Sequence, residues 1–299
     1  MTDPQVFKEV ALEEVGGWIA PDTPTLTLGE VLETLASRYP LEDAEPWDRV
    51  GLLWGDPARP VRRAACALDP NLKTLKMAAS RHIDLLVTHH PTHLAVEEGE
   101  EPPEYGHSLD RFAVEYSIPL IAMHTNLDVS EPARLRMGED LPFEPLGPLV
   151  TEIDKQGRPR PAFAQQWKLT EPIRAIDVAH LCAQKYGAPV HFSRPAPQLV
   201  PWRQERIVTA SGAGGDALSA AVASGATLFI TGELKYHERL EAVDRGLCCI
   251  EVGHDNSEWP LVSLLRDTVI ASIKEHGYKP QPVDFFGEGT DSIFVSPEG

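Results

Sequence analysis

The sequence predicts an α/β protein built from two similar units. Two patterns carry that prediction. Strand-length apolar runs alternate with stretches of helical period along most of the 299 residues, the order expected of a sheet with crossover helices. In addition, two blocks resemble each other. Ala79 to His93 and Ser224 to His237 each lead from a small-residue helix end into a strand that closes at threonine, Thr88 or Thr231. Each is followed by a helix and by a strand ending in histidine, His124 or His254, with an acid four residues on, Asp128 or Glu258. A duplicated α/β unit accounts for both blocks.

Residues 1–26 mix polar and apolar positions and end in a turn-rich exit, so they read as an extension. Thr27 with Glu30 forms a capping-box pattern ahead of a helix over 28–38. Leu41 to Pro46 is an acidic loop. Val50 to Gly55 and Arg63 to Leu68 are strands. Asp69-Pro70-Asn71 opens a helix to about Arg81, and the strand Leu85 to Thr88 runs into His89 and His90, where Pro91 stops the ladder. Residues 96–104 form a loop, Ser108 to Ser117 a helix and Ile118 to Met123 a strand ending at His124. Turn signals dominate from Ser130 to Arg160, broken by Leu149 to Ile153. This stretch divides a first unit, 27–145, from a second, 146–299. The second unit reads as a strand (Ala162 to Leu169), a helix (Ile173 to Tyr186, stopped by Gly187) and strands at Val190 to Phe192 and Arg206 to Ser211. Gly212-Ala213-Gly214-Gly215-Asp216 then turns into a helix over Ala217 to Ala223. Thr227 to Thr231 is a strand, Leu234 to Arg245 a helix and Leu247 to Val252 a strand. A long helix follows from Gly253-His254 to about His276, and Ile293 to Val295 forms a last strand.

Composition narrows the function. The 45 acidic residues against 27 basic ones give a net charge of -18. That argues against a nucleic acid or an anionic membrane as main partner, though not against a local phosphate pocket. No apolar run approaches the ~20 residues of a membrane span. Met1-Thr2-Asp3-Pro4 lacks the basic and apolar segments of a secretory signal. Cys66, Cys182, Cys248 and Cys249 form no Cys-x-x-Cys pair and read as reduced core residues, so a cytoplasmic location is expected.

Three strand ends bring together one kind of chemistry: His89, His90, His124, Asp128, His254 and Glu258. In open α/β sheets that edge binds ligands. Neighbouring strand residues point to opposite faces, so His89 and His90 need a third group between them. Histidine and carboxylate suit zinc, iron or manganese. A carboxylate shared by two ions would place a metal-bound hydroxide against an ester, amide or ring carbon. Singly, each residue has a plainer role: His124 bonding a loop carbonyl, Asp128 a turn, Glu258 a helix cap. His93 and His237 lie beyond the strand ends and are candidates for support of the site. His82, His107, His180, His191 and His276 read as surface or structural.

At these positions the sequence resembles the Nif-three-like family, whose members are named GTP cyclohydrolase I type 2 homologues. The resemblance rests on Val50-Gly51-Leu52, Thr88-His89-His90-Pro91, His124-Thr125-Asn126-Leu127-Asp128, Thr231-Gly232-Glu233-Leu234-Lys235-Tyr236-His237 and Gly253-His254-Asp255-Asn256-Ser257-Glu258, in family order. It implies two intertwined α/β domains with a dinuclear metal site in the cleft, and a homohexamer built as a trimer of dimers. It implies two divalent ions per chain held by His89, His90, Asp128, His254 and Glu258, with Glu258 bridging. His124 would ligate or act as the catalytic acid/base group, and Lys235 and His237 would contact substrate or cofactor. The chain departs from the family at Thr92-His93, where larger apolar residues are usual, and at Asp255, where an aromatic is common.

Two functions follow. One is a metal-dependent hydrolase acting on a nucleotide ring or phosphoester, with His124 or His93 moving the proton. Gly212 to Gly215 then reads as a phosphate cradle or as a plain tight turn, and Lys235 as an anion contact or a solvated side chain. The alternative is a non-enzymatic metal-binding scaffold or metal-handling protein.

Overall fold

The computed structural model describes residues 24–96, 100–153, 159–196, 204–279 and 283–286. The strand expected at Ile293 to Val295 lies outside them, as does most of the expected extension. Among the described residues the chain forms two sheets.

The first sheet contains β1 (Gly51–Trp54), β2 (Ala64–Ala67), β3 (Leu85–Thr88), β4 (Leu120–Ala122) and β11 (Val283–Phe286), in the order β1-β4-β3-β2-β11. Helices α1 (Leu28–Arg38), α2 (Leu72–Ser80) and α3 (Glu104–Glu115) belong to this part of the chain. Thr27 and Glu30 make the expected capping box, and Asn71 caps α2 by accepting from the Thr74 amide. The second sheet contains β5 (Phe143–Ile153), β6 (Pro159–Ile173), β7 (His191–Ser193), β8 (Gln204–Ala213), β9 (Leu228–Glu233) and β10 (Cys248–Glu251), in the order β5-β6-β8-β9-β10-β7. Its helices are α6 (Ala175–Tyr186), α7 (Leu218–Ala223) and α8 (Tyr236–Asp244).

The two sheets share one connectivity. In each, three parallel strands are joined by two helices, β2-α2-β3-α3-β4 and β8-α7-β9-α8-β10. In each, a short preceding strand returns to pair antiparallel with the last of the three, β1 with β4 and β7 with β10. The parallel strands are apolar on both faces because helices cover both. Ala64, Cys66, Leu85 and Val87 face one core, while Ala65, Ala67 and Leu86 face another. Leu228, Ile230, Cys248 and Ile250 are likewise separated from Phe229 and Cys249. The long helix α9 (His254–Glu275) joins the sheets. Its Leu261, Val262, Leu265 and Val269 are buried in the core of the first sheet, and it also packs on β8 and β9 of the second.

The described residues between Ser130 and Arg160 are more regular than their turn signals suggest. They hold α5 (Glu131–Arg136) and β5, which pairs antiparallel with β6. Proline removes a ladder donor, so it sits at edges and bulges. β5 is an edge strand, and its register shifts fall between Pro145 and Gly147 and between Pro148 and Val150. β11 was not expected from the sequence; Arg63 fastens it to the neighbouring strand through Asp284 at 2.7 Å. No helix among the described residues is long and apolar enough to cross a membrane.

Since α9 carries the second unit's acid and fills the first unit's core, its packing should govern stability. Leu265→Ala empties a fully buried position and should lower the unfolding free energy by about 2–5 kcal/mol in urea titration. A loss within about 0.5 kcal/mol would show that α9 is not a core element.

Candidate metal centre

The strand ladder fixes the tandem histidines. The His89 amide donates to Ala67 O (3.2 Å) and the His90 amide to Leu68 O (3.0 Å), so both sit on the sheet's carboxyl edge. The next strand, β4, delivers His124, and the single-turn helix α4 (Thr125–Asp128) puts Asp128 one turn on. In the second unit β10 delivers His254 at the start of α9, again with its acid, Glu258, one turn on. The rings converge: His89 to His90 at 4.8 Å between centroids, His124 at 5.1 and 5.2 Å from these two, and His254 at 5.6 Å from His90.

Each of the four histidines is anchored through Nδ1 on an oxygen acceptor. His89 Nδ1 lies 2.9 Å from Met123 O, His90 Nδ1 2.8 Å from Asp69, His124 Nδ1 2.9 Å from Asp48 and His254 Nδ1 3.0 Å from Glu233. The carbonyl of Met123 can only accept, so His89 carries its proton on Nδ1 and keeps a lone pair on Nε2. A carboxylate imposes the same tautomer on the others when they are neutral. This is how ligating imidazoles are oriented in metal proteins. Two groups of donors lie within 4.8 Å of one another, His89, His90 and His124, and His90, His254 and Glu258.

The cluster lacks partners of its own. His89 Nε2, Asp128 Oδ1 and Glu258 Oε2 are buried without a hydrogen bond. Glu258 Oε2 lies 3.1 Å from Nε2 of both His90 and His254. His89 Nε2 faces Asp128 Oδ1 at 3.6 Å and Glu258 Oε1 at 3.8 Å. Burial and the charge of Glu258 push the Asp128 pKa well above the carboxylate range. Burial also acts against charge on Glu258, but His254, His89 and His90 outweigh it and hold its pKa well below that range. Two buried acids of this kind ionise together only beside a cation. His89 is pushed down to about 4 by burial, so it stays neutral. The nearness of Glu258 lifts His254 to about 9 against its burial. For His90 burial again lowers, yet Asp69 and Glu258 raise it to about 10. Protons thus supply the positive charge that the donor set calls for, and the residues fit a metal ion.

The profile of the Duf34/NIF3 family (NGG1p interacting factor 3) matches residues 26–281. The chain belongs to this family. A Streptomyces coelicolor relative named GTP cyclohydrolase 1 type 2 homolog is 31% identical over 84% of this chain and 88% of its own length. One of the same name from Clostridium perfringens is 23% identical over 82% of this chain and 91% of its own. Among solved structures, a Staphylococcus aureus hypothetical protein superposes with TM-score 0.77 at 22% identity, over 91% of this chain and all (100%) of that one. Reduced HcgD from Methanocaldococcus jannaschii gives 0.68 at 18% identity, over 88% and 99%. These structural likenesses carry the fold.

In this NIF3 protein the glycine-rich turn is shaped by the site. Gly212 has φ +62°, and a Cβ on it would overlap Glu258 Oε1. Its amide donates to Ser257 Oγ (2.9 Å), which in turn donates to His254 O (2.7 Å). A Cβ on Gly232 would strike Gly212 O and Ser257 Oγ, and the Glu238 carboxylate lies against Gly215. Close packing behind the candidate ligands His254 and Glu258 accounts for Gly212 and Gly232. Lys235 and His237 are exposed at the start of α8, and Lys235 pairs with Glu238 at 3.7 Å. His93 lies in a neighbouring polar cluster, with its Nε2 2.7 Å from Arg49 Nη1 and 3.1 Å from Asp110 Oδ2. Asp48, Asp69 and Glu233 were not singled out from the sequence as site residues, and Gly212 only as part of a phosphate cradle or tight turn. Their signal was position: each lies at or beside a strand end or a motif already noted.

Three outcomes are expected. His90→Ala or Glu258→Ala should lower bound metal without unfolding the chain; full content in both, by elemental mass spectrometry, would remove the ligand assignment. Gly212→Ala should also lower metal content, by displacing Glu258, with circular dichroism unchanged; full metal content there would sink the packing argument. At pH 7, below the raised pKa values of His90 and His254, both imidazoles hold a second proton that a metal must displace. Metal uptake should therefore release protons and tighten as pH rises. Calorimetry in buffers of different ionisation enthalpy reads this, and no proton release would contradict it.

Proposed function

We propose that the chain is a dinuclear metal-dependent hydrolase acting on a nucleotide ring or phosphoester. One observation carries the reading: four histidines converge on Glu258 and Asp128, where His89 Nε2, Asp128 Oδ1 and Glu258 Oε2 are buried without a hydrogen-bond partner. Glu258 supports a division into two sites. Its Oε1 shares a side with His89 and Asp128, and its Oε2 lies with His90 and His254. Zinc, iron and manganese all suit this donor set. When bound, such ions supply Lewis acidity and a water acidic enough to attack near neutral pH.

The chain's own residues would do the rest. His89, fully buried, closes the inner side against solvent. His254, with its side chain 37% exposed, leaves the outer side open, and an open side marks catalytic rather than structural sites. His124 is the acid/base group, holding or giving up a proton at Nε2. Asp48 fixes its Nδ1, and the bonds from His124 and Thr125 outweigh burial to keep that carboxyl at about 2, ionised. The exposure of His254 also favours a second reading, a metal-handling protein, because a ligand at the rim lets an ion leave. Cytoplasmic residence and assembly into a homohexamer are parts of the same proposal; the exposed Tyr105, Val114 and Tyr116 on and just after α3 offer apolar surface for such assembly.

The test is elemental analysis of untreated protein followed by turnover assays on nucleotides and phosphoesters. About two divalent ions per chain, with turnover, are expected. His124→Ala should keep the metal and lower kcat by about 10²–10⁴-fold. Loss of metal in that variant would make His124 a ligand instead, and full metal with no turnover in the wild type would favour metal handling.

A further inference from the structure

The rim of the histidine cluster carries an apolar surface that the chemistry above does not use. Trp47 is 47% exposed. Its indole lies 6.2 Å from the His124 ring, centroid to centroid, at an interplanar angle of 72°. His124 is in turn edge-on to both His89 and His90. The indole therefore sits one ring away from the inward-facing donors. Leu94 and Val96, also exposed, flank Ala95, whose amide donates to the Trp47 carbonyl at 3.1 Å.

The loop that holds Trp47 is fixed in place. The Asp48 amide donates to Glu45 O (2.9 Å), the Glu45 amide to Thr125 Oγ1 (2.9 Å) and the Thr125 amide to Asp48 Oδ2 (3.0 Å). An exposed indole held this way loses little freedom when it binds a ligand. The adjacent cation is already engaged: Arg49 pairs with Asp110 at 2.9 Å and donates to Thr92. The rim thus offers an aromatic face more than an anion contact. Aromatic faces bind flat rings by stacking, and an indole is the largest such face a protein has.

We propose that Trp47 is the ring-binding residue of the site, stacking an uncharged heteroaromatic ring of purine size so that the substrate's reacting part reaches His124. The proposal rests on the hydrolase reading for its substrate, but its test does not depend on turnover. Metal-loaded protein would be titrated by calorimetry with guanosine 5′-monophosphate and with ribose 5-phosphate, which has the same phosphate and no base. Trp47→Ala should weaken guanosine 5′-monophosphate binding by about tenfold or more and leave ribose 5-phosphate unchanged. Trp47→Phe, which keeps an aromatic face, should recover most of the loss. Equal affinity in Trp47→Ala, equal loss for both probes, or no binding of the base-containing probe by the wild type would each overturn the proposal. So would a change of oligomeric state with unchanged affinity, since it would make the patch a contact between copies. Ring binding through Trp47 without any hydrolysis would refute the hydrolase and leave the subsite standing. Hydrolysis insensitive to Trp47→Ala would do the reverse.

Discussion

A charged carboxylate buried to the depth of Glu258 cannot persist without positive charge around it. Much of the local architecture answers that demand. The helix α9 brings the acid in from the second unit, while the first unit supplies His89 and His90 to meet it. Gly212 removes the side chain that would otherwise occupy its space, and Gly232 makes room for the Gly212 carbonyl and Ser257 behind it. Four oxygen acceptors turn four imidazoles so that their Nε2 edges face inward. Those acceptors do not themselves touch Glu258 in this arrangement. They act through the histidines, and two of them, Asp69 and Glu233, help to keep protons on His90 and His254. The donor set is thus preorganised for a cation before any cation arrives, which lowers the reorganisation needed on binding.

The sequence displayed the candidate ligands and concealed their supports. Histidine at the end of an apolar strand is conspicuous, and the repeated spacing of His124 to Asp128 and His254 to Glu258 strengthened the signal. The side-chain supports are ordinary acids, Asp48 and Asp69 in loops and Glu233 at the end of β9. Asp69 is one residue past a strand-like run, and nothing in its own neighbourhood says that it will meet His90, 21 positions on. Asp48 reaches His124 across 76 positions. Such pairings are set by which strands become neighbours, and sheet order is not written in local periodicity. The same limit explains the connecting stretch. Pro142, Pro145, Gly147 and Pro148 read as turns because each disfavours a regular ladder, but an edge strand with bulges tolerates them. β11 was missed because four residues with one apolar-polar alternation carry little periodic signal.

Lys235 and His237 show how a motif can be legible without its role. Both belong to the segment that carried the resemblance, and both lie exposed on α8 beside the ion pair with Glu238. His93 has a different explanation. Thr92 and His93 find polar partners in Arg49 and Asp110. These contacts form one cluster, tying the turn after His90 to the Trp47-Asp48-Arg49 loop and to α3 by hydrogen bonds and an ion pair.

The two units also divide the work unequally, and the duplicated topology shows how. In the first, β3 runs on into His89 and His90. In the second, the matching strand β9 runs through Thr231 into Gly232 and Glu233. Gly232 stands where the first unit has His89, and any side chain there would collide with the Gly212 carbonyl and Ser257. Glu233 stands where the first unit has His90, and its carboxylate holds His254 Nδ1. At the matching positions the second unit thus has close backbone packing and support for its one histidine in place of tandem donors. A symmetric arrangement would have crowded two more imidazoles around Glu258, where the Gly212 loop now lies. One unit with four candidate donors and one with two, facing each other across a single shared carboxylate, is the arrangement that the available space permits.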